Sequence, residues 1–153
     1  MTSFREESGI TLLEIVCVLA IIAMLAAVSL PALPRGTSRS MLEGYVLQAA
    51  AMLKADRNAA VRRGAIVATE VNPVSRMIRS GATGRILLLP RDVGFRAILP
   101  SQCGGSVSGR AVQFLPTGMS CGGTIYFTRP GTALEIRVTW LTGGVEIAPS
   151  NVF

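Results

Sequence analysis

Residues 15–30, IVCVLAIIAMLAAVSL, carry no charge and one hydroxyl, Ser29. As an α-helix this run is roughly 24 Å long, short of the ~30 Å hydrocarbon core of a bilayer. Carried back to Ile10, the stretch is roughly 31 Å long and spans that core, but it then includes one carboxylate, Glu14. Pro31, Pro34 and Gly36 follow and weaken the helix. The whole chain has 153 residues, 50% hydrophobic and 16% charged. That balance excludes a disordered chain and leaves room for one domain with an appendage.

Three readings compete for the apolar run. A cleavable secretory signal needs a basic n-region and a small-residue cleavage site. Ala27-Val28-Ser29 fits the site, but Arg5 is outweighed by Glu6 and Glu7, and Glu14 falls inside the run. A plain single-pass anchor tolerates a carboxylate near one end of the helix, yet gives no reason for it. A third reading gives Glu14 a task. A carboxylate in lipid is costly without a cationic partner. The N-terminal amine of a neighbouring copy or homologue is such a partner, and Glu14 is then a lateral-assembly device.

Ser8-Gly9-Ile10-Thr11-Leu12-Leu13-Glu14, followed by the apolar run, resembles the N-terminal methylation motif of type IV prepilins and type II secretion pseudopilins. The resemblance implies that a prepilin peptidase cuts after Gly9 and methylates the new amine of Ile10. It also implies that Glu14, fifth after the cut, pairs with a neighbour during assembly. Pro31 falls where such helices bend. The first residue is Ile where Phe is commoner, and the leader is acidic where a basic one is usual.

Residues 40–63 contain no proline and one glycine, Gly44. Leu42, Tyr45, Val46, Ala49, Met52, Leu53 and Ala60 fall on a helix-period stripe, with Asp56, Arg57, Arg62 and Arg63 largely off it. The spacing predicts an amphipathic helix that packs on a domain and ends at Gly64. From Ala65 the pattern changes to strands. Runs at 65–71, 85–90, 93–99, 111–116, 123–128, 133–141 and 144–148 are separated by Gly, Pro, Ser and Asn. In 133–141, Leu134, Ile136, Val138 and Trp140 alternate with Glu135, Arg137 and Thr139, which predicts a strand buried on one face. Thr142-Gly143-Gly144 predicts a hairpin connection. The expected fold is α+β: a long N-terminal helix, membrane half plus amphipathic half, packed on an antiparallel β-sheet or sandwich domain. Its expected parts are a leader at 1–9, a transmembrane or filament-core helix at 10–33, an amphipathic helix at 34–64 and a β-domain at 65–153.

VQFLPTGMSCGGTIYFT followed by LEIRVTWLTGGVEI narrows the resemblance to the H-type minor pseudopilins, the GspH/FimT family. Phe114, Pro116, Gly118, Gly122, Gly123, Thr142, Gly143 and Val145 occupy the family's positions, and DRNAAVRRGAIVATEV is similar to its helix-to-strand junction. Residues 72–108 are covered poorly. The resemblance implies a single-pass protein of the bacterial inner membrane, N-terminus cytoplasmic and β-domain periplasmic. Flanking charge alone, with Arg35 and Arg39 on the far side, favours the reverse. The implied partners are major and minor pseudopilins of a tip complex, the prepilin peptidase and the outer-membrane channel of the secretion system. The family also contains type IV pilus minor pilins, some of which serve DNA uptake, and the pattern does not separate the two machines.

Cys17 lies in the apolar run and serves as a small apolar residue. Cys103 and Cys121 sit in Gly/Ser-rich loops of the exported part. An oxidising periplasm favours a disulfide between them over two free thiols, worth about 3 kcal/mol in the chain-entropy model. The chain has no histidine, no C-x-x-C, no G-x-S-x-G, no P-loop and no G-x-G-x-x-G. No enzyme activity, cofactor or metal is therefore expected. The net charge is +6, carried by fourteen arginines and Lys54. The arginines are scattered and few aromatics lie among them, so DNA is not expected as a partner.

Overall fold

In the computed structural model of the chain, which describes residues 11–29, 36–103 and 106–150, two units separate after Arg35. In the first, helix α1 runs Leu12–Ser29, a stretch of Leu, Ile, Val, Ala and Met without Gly or Pro. Its first turn closes where the Glu14 and Ile15 amides donate to Thr11 O, at 3.0 and 3.3 Å. Gly9, Ile10, Leu30, Pro31 and Pro34, to which the sequence assigns cleavage, methylation and bending, lie outside the described residues.

In the second unit, helix α2 runs Arg39–Arg63. Ser38 caps its start by accepting the Met41 amide at 3.2 Å. Gly64, at φ +60, ends it by donating to the Ala60 and Val61 carbonyls. The buried face holds Leu42, Val46, Ala49, Met52, Leu53 and Ala60, as the stripe predicts, with Tyr45 packed at its margin. Each fully buried leucine contributes roughly 1.5–3 kcal/mol of transfer free energy. Asp56 departs from the expectation. It lies three or four residues from Met52, Leu53, Ala59 and Ala60, so it shares their face, and it is 0% exposed.

The strands are β1 (Val67–Asn72), β2 (Met77–Arg79), β3 (Ile86–Leu88), β4 (Gly94–Ile98), β5 (Gln102–Cys103), β6 (Ser106–Val107), β7 (Ala111–Phe114), β8 (Gly123–Arg129), β9 (Thr132–Val138) and β10 (Val145–Pro149). They form one four-stranded sheet ordered β3-β2-β1-β7, a second ordered β10-β9-β8-β4, and the small pair β5-β6. All pairings are antiparallel. One core joins α2 to both larger sheets, with Phe114 and Ile78 from the first and Phe127, Ile125 and Ile136 from the second. The fold is α+β, with α2 laid on antiparallel sheets.

Strand β9 corrects the sequence at two places. It ends at Val138, because Thr139 N–H donates to Gly144 O (2.9 Å) and Gly143 N–H to Thr139 O (2.8 Å), closing the turn early. Trp140 therefore sits in the connection, 63% exposed rather than buried. Glu135 is only 6% exposed on the outward face, paired with Arg137 at 2.6 Å.

A carboxylate ties the start of α2 to the strands. Asp92 accepts the Thr37 amide at 2.5 Å and the Thr37 hydroxyl at 3.0 Å. The Thr37 amide, then its hydroxyl, hold the Asp92 carboxyl below the usual carboxylate range against an opposing desolvation, with Arg76 adding a lesser lowering effect. A folded pKa below the unfolded one gives stability that is complete above the unfolded value. That stability is lost as pH falls through the lowered folded value. The Thr37 amide proton should accordingly shift upfield in NMR spectra as the pH falls through that lowered value. Asp92→Asn should remove that titration step, and an unchanged titration in the variant would show that Asp92 does not hold Thr37.

Candidate functional site

Glu14 stands in the first turn of α1, where a negative charge suits the helix dipole. Its side chain is exposed, and among the described residues it takes part in no ion pair. Large apolar side chains surround it and continue along every face of the helix. Leu13 is 75% exposed, Val16 57%, Leu19 59%, Ile22 56% and Met24 74%. A helix that is apolar all round needs lipid or other helices for cover. With each large side chain contributing roughly 1.5–3 kcal/mol on burial, the covering surface is the dominant energetic term at this end of the chain. Cys17 is a free, exposed thiol on the same helix.

The described part of α1 has 18 residues, about 27 Å at 1.5 Å per residue. Among the described residues no helix is long and apolar enough to cross a membrane. The span read from the sequence begins at Ile10 and ends past Leu30, and both limits lie outside the described residues.

Within the domain the charged groups hold the architecture. Asp56 Oδ1 accepts the Ser80 hydroxyl (2.5 Å) and the Ala82 amide (3.2 Å), while Oδ2 accepts the Thr69 hydroxyl (2.6 Å) and the Gly81 amide (3.0 Å). A side chain at Gly81 would collide with the Ala68 carbonyl, so the loop reaches Asp56 only with glycine there. Three arginines act on carbonyls. Arg57 donates through Nε to Gly118 O (3.0 Å) and Thr142 O (3.1 Å), joining α2 to two connections between strands. Arg63 donates to Ala82 O at 3.1 Å. Arg76 donates to Pro90 O at 2.6 Å and to Val93 O. Of Arg57, Arg62 and Arg63 near the end of α2, two are thus committed to the protein's own backbone.

Cys103 and Cys121 are joined by a disulfide, with Cα atoms 5.6 Å apart. It links the end of β5 to the segment beside β7. Reduction, or Cys121→Ala, should lower stability by about 3 kcal/mol. Thermal unfolding with and without dithiothreitol measures this, and coincident curves would show that the bridge contributes nothing. Among the described residues no group of three or more His, Cys, Asp or Glu side chains is placed to hold a metal.

Sequence reasoning named the two cysteines that the structure joins but missed the roles of Asp56 and Arg57. The partners of Asp56 lie 13 to 26 residues away, and those of Arg57 61 and 85 residues away. Local spacing holds no trace of either.

No family model matches the chain. Type II secretion system protein H of Xanthomonas campestris pv. campestris is 30% identical over 149 residues, which cover 95% of this chain and 85% of that protein. Among solved structures, the type IV minor pilin FimU of Pseudomonas aeruginosa matches with a TM-score of 0.56 at 16% identity, over 76% of this chain and 94% of that one. The minor pseudopilin EpsH from the type 2 secretion system of Vibrio cholerae matches with a TM-score of 0.52 at 9% identity, over 76% of this chain and all of that one. At these identities the structural likeness is one of fold.

Proposed function

The chain belongs to the family of type II secretion system protein H, and on that premise we propose that it is the precursor of a minor pseudopilin. It is cleaved after Gly9, N-methylated at Ile10 and assembled near the tip of a secretion pseudopilus. The observation that carries this reading is the identity to the Xanthomonas protein over 95% of the chain, a span that includes α1 and Glu14. The all-round apolar surface of α1 supports it. Residues 10–33 wait in the inner membrane, the N-terminus in the cytoplasm and the domain in the periplasm. Glu14 pairs with the terminal amine of a neighbour as the subunit leaves lipid, and packing of the apolar helices in the filament core offsets the extraction. The domain then contacts other pseudopilins of the tip complex, and through them the filament reaches toward the outer-membrane channel.

The role is structural: the buried acids of the domain, Asp56 and Glu135, are engaged with protein groups rather than gathered at a reactive centre. A second reading, a minor pilin of a type IV pilus, is favoured by the fold match to FimU. Deleting the gene in its host separates the two, since one predicts lost secretion and the other lost pili.

Processing is tested by intact mass and N-terminal sequencing of membrane-purified protein coexpressed with a prepilin peptidase. The expected terminus is N-methylated Ile10. A terminus at Leu30 would make the protein an ordinary secreted domain. Retention of Met1 beside an active peptidase would leave a simple anchored protein.

A further inference from the structure

Four strands end the two larger sheets: β3 and β7 in one, β10 and β4 in the other. An edge strand presents unpaired backbone groups unless something closes or guards it. The β7 edge is closed by residues 119–121. Leu115 N–H donates to Met119 O (2.8 Å), Cys121 N–H donates to Gln113 O (3.2 Å), and Phe114 bridges to Ser120. Strand β10 carries exposed Glu146 and ends in Pro149. Strand β4 carries Arg96, stacked on the Tyr126 ring at 5.2 Å. Strand β3 has no such guard. Ile86 and Leu88, its two outward side chains, are 57% and 65% exposed.

The register decides which backbone groups of β3 are free. Met77 pairs with Leu88, Ile78 with Leu87 and Arg79 with Ile86. Leu89 N–H donates to Arg76 O, and Ser80 N–H donates to Arg85 O. Antiparallel alternation then turns the N–H and C=O of Leu87 toward β2 and those of Ile86 and Leu88 away from it. Two donors and two acceptors face outward beside two apolar side chains. The edge is also held in place. Arg76, at φ 55 in the turn before β2, grips the Pro90 and Val93 carbonyls just past the strand. Asn72 Oδ1 accepts the Val74 and Ser75 amides in the same turn. Preorganisation of this kind lowers the ordering cost of binding.

Charge narrows the occupant. Arg85 and Arg91 flank the strand, both exposed, and neither forms an ion pair among the described residues. We infer that β3 is a docking edge for an extended strand of another protein. That strand carries apolar side chains against Ile86 and Leu88 and carboxylates beside Arg85 and Arg91. Strand addition of this form takes affinity from main-chain bonds and specificity from alternate side chains. A second copy is disfavoured by the net charge of +6, which repels its like. A lipid surface has no strand to answer the outward N–H and C=O groups. That the occupant is a neighbouring pilin-type subunit rests on the assembly reading above; its chemistry does not.

The test uses the full chain in its host, with a photoreactive benzophenone side chain in place of Ile86 and, separately, in place of Leu19 of α1. The Ile86 probe should form an adduct with one defined protein, whose cross-linked peptide is an extended apolar run flanked by Asp or Glu. Leu88→Pro deletes an outward N–H and no bond to β2, so the fold should persist while the adduct falls about tenfold. Arg85→Glu combined with Arg91→Glu should do the same without touching the backbone. Protein level and the Cys103–Cys121 bridge report that the fold is intact. Adducts from Leu19 but none from Ile86 would overturn the docking edge and leave the assembly reading standing. Silence at both positions would overturn both. An adduct to lipid or to a helical peptide, or one indifferent to both the Pro and the charge variants, would equally overturn the strand.

Discussion

Glu14→Ala is expected to leave the chain inserted and cleaved while removing it from the filament. The carboxylate's favourable contact with the helix dipole, about 0.3–1 kcal/mol, is not what holds α1 together. Alanine is the best helix former, and the surrounding Leu, Ile and Val keep the segment apolar. What we propose it supplies is a counter-charge for a neighbour's terminal amine, in surroundings that would otherwise leave that amine bare. Breaking one side of a buried pair costs about 3–5 kcal/mol, because the remaining charge is stranded, and this corresponds to a loss of about a hundredfold or more in subunit incorporation. The measurement is the amount of the subunit in sheared or cross-linked filaments, with secretion or piliation as the physiological readout. Glu14→Gln separates charge from hydrogen bonding and should recover little. Normal incorporation of the alanine variant, with cleavage intact, would sink the assembly role.

The second large effect belongs to Asp56→Ala. The substitution leaves two buried hydroxyls, on Thr69 and Ser80, and two part-buried backbone amides, at Gly81 and Ala82, without their acceptor. An orphaned buried donor costs about 1–3 kcal/mol, and the hydroxyls can turn to other acceptors, so the expected loss is roughly 3–5 kcal/mol. That is a large share of the ~5–15 kcal/mol typical of a whole domain. Asp56→Asn keeps the shape but turns an NH2 group toward donors, and should fall between alanine and the parent. Urea unfolding of the purified protein, with the disulfide intact, measures both. A loss below ~1 kcal/mol for alanine would place the variant among ordinary surface changes and refute the role given to this carboxylate.

Asp56 also shows where the sequence stops being readable. The stripe of Leu42, Val46, Ala49, Met52 and Leu53 is a local pattern, and the helix it predicts is present almost residue for residue. Asp56 continues that stripe by position but breaks it by chemistry, and the two segments that satisfy it, at Thr69 and at residues 80–82, are brought in only by the fold. The seven expected strand runs all contain strands, because alternation and turn residues are local signals too. Strands β2, β5 and β6, of three, two and two residues, are too short to show a period. Trp140 was misread for a related reason: apolar alternation runs on past Val138, while the bonds that stop the strand come from Gly143 and Gly144. At α1 the reverse holds. The apolar run is legible, but the chemistry proposed at Gly9 and Ile10 depends on another protein recognising a motif.

The Arg57, Arg63 and Arg76 braces give the domain an uneven response to acid. Guanidinium stays charged at any pH a cell meets, and the backbone carbonyls it holds never titrate. The chain has no histidine to switch between pH 5 and 8. The Asp92–Thr37 contact at the N-terminal end of α2 does release its grip as acid accumulates. Acidification should therefore loosen the N-terminal end of α2 before it disturbs the connections that Arg57 clasps.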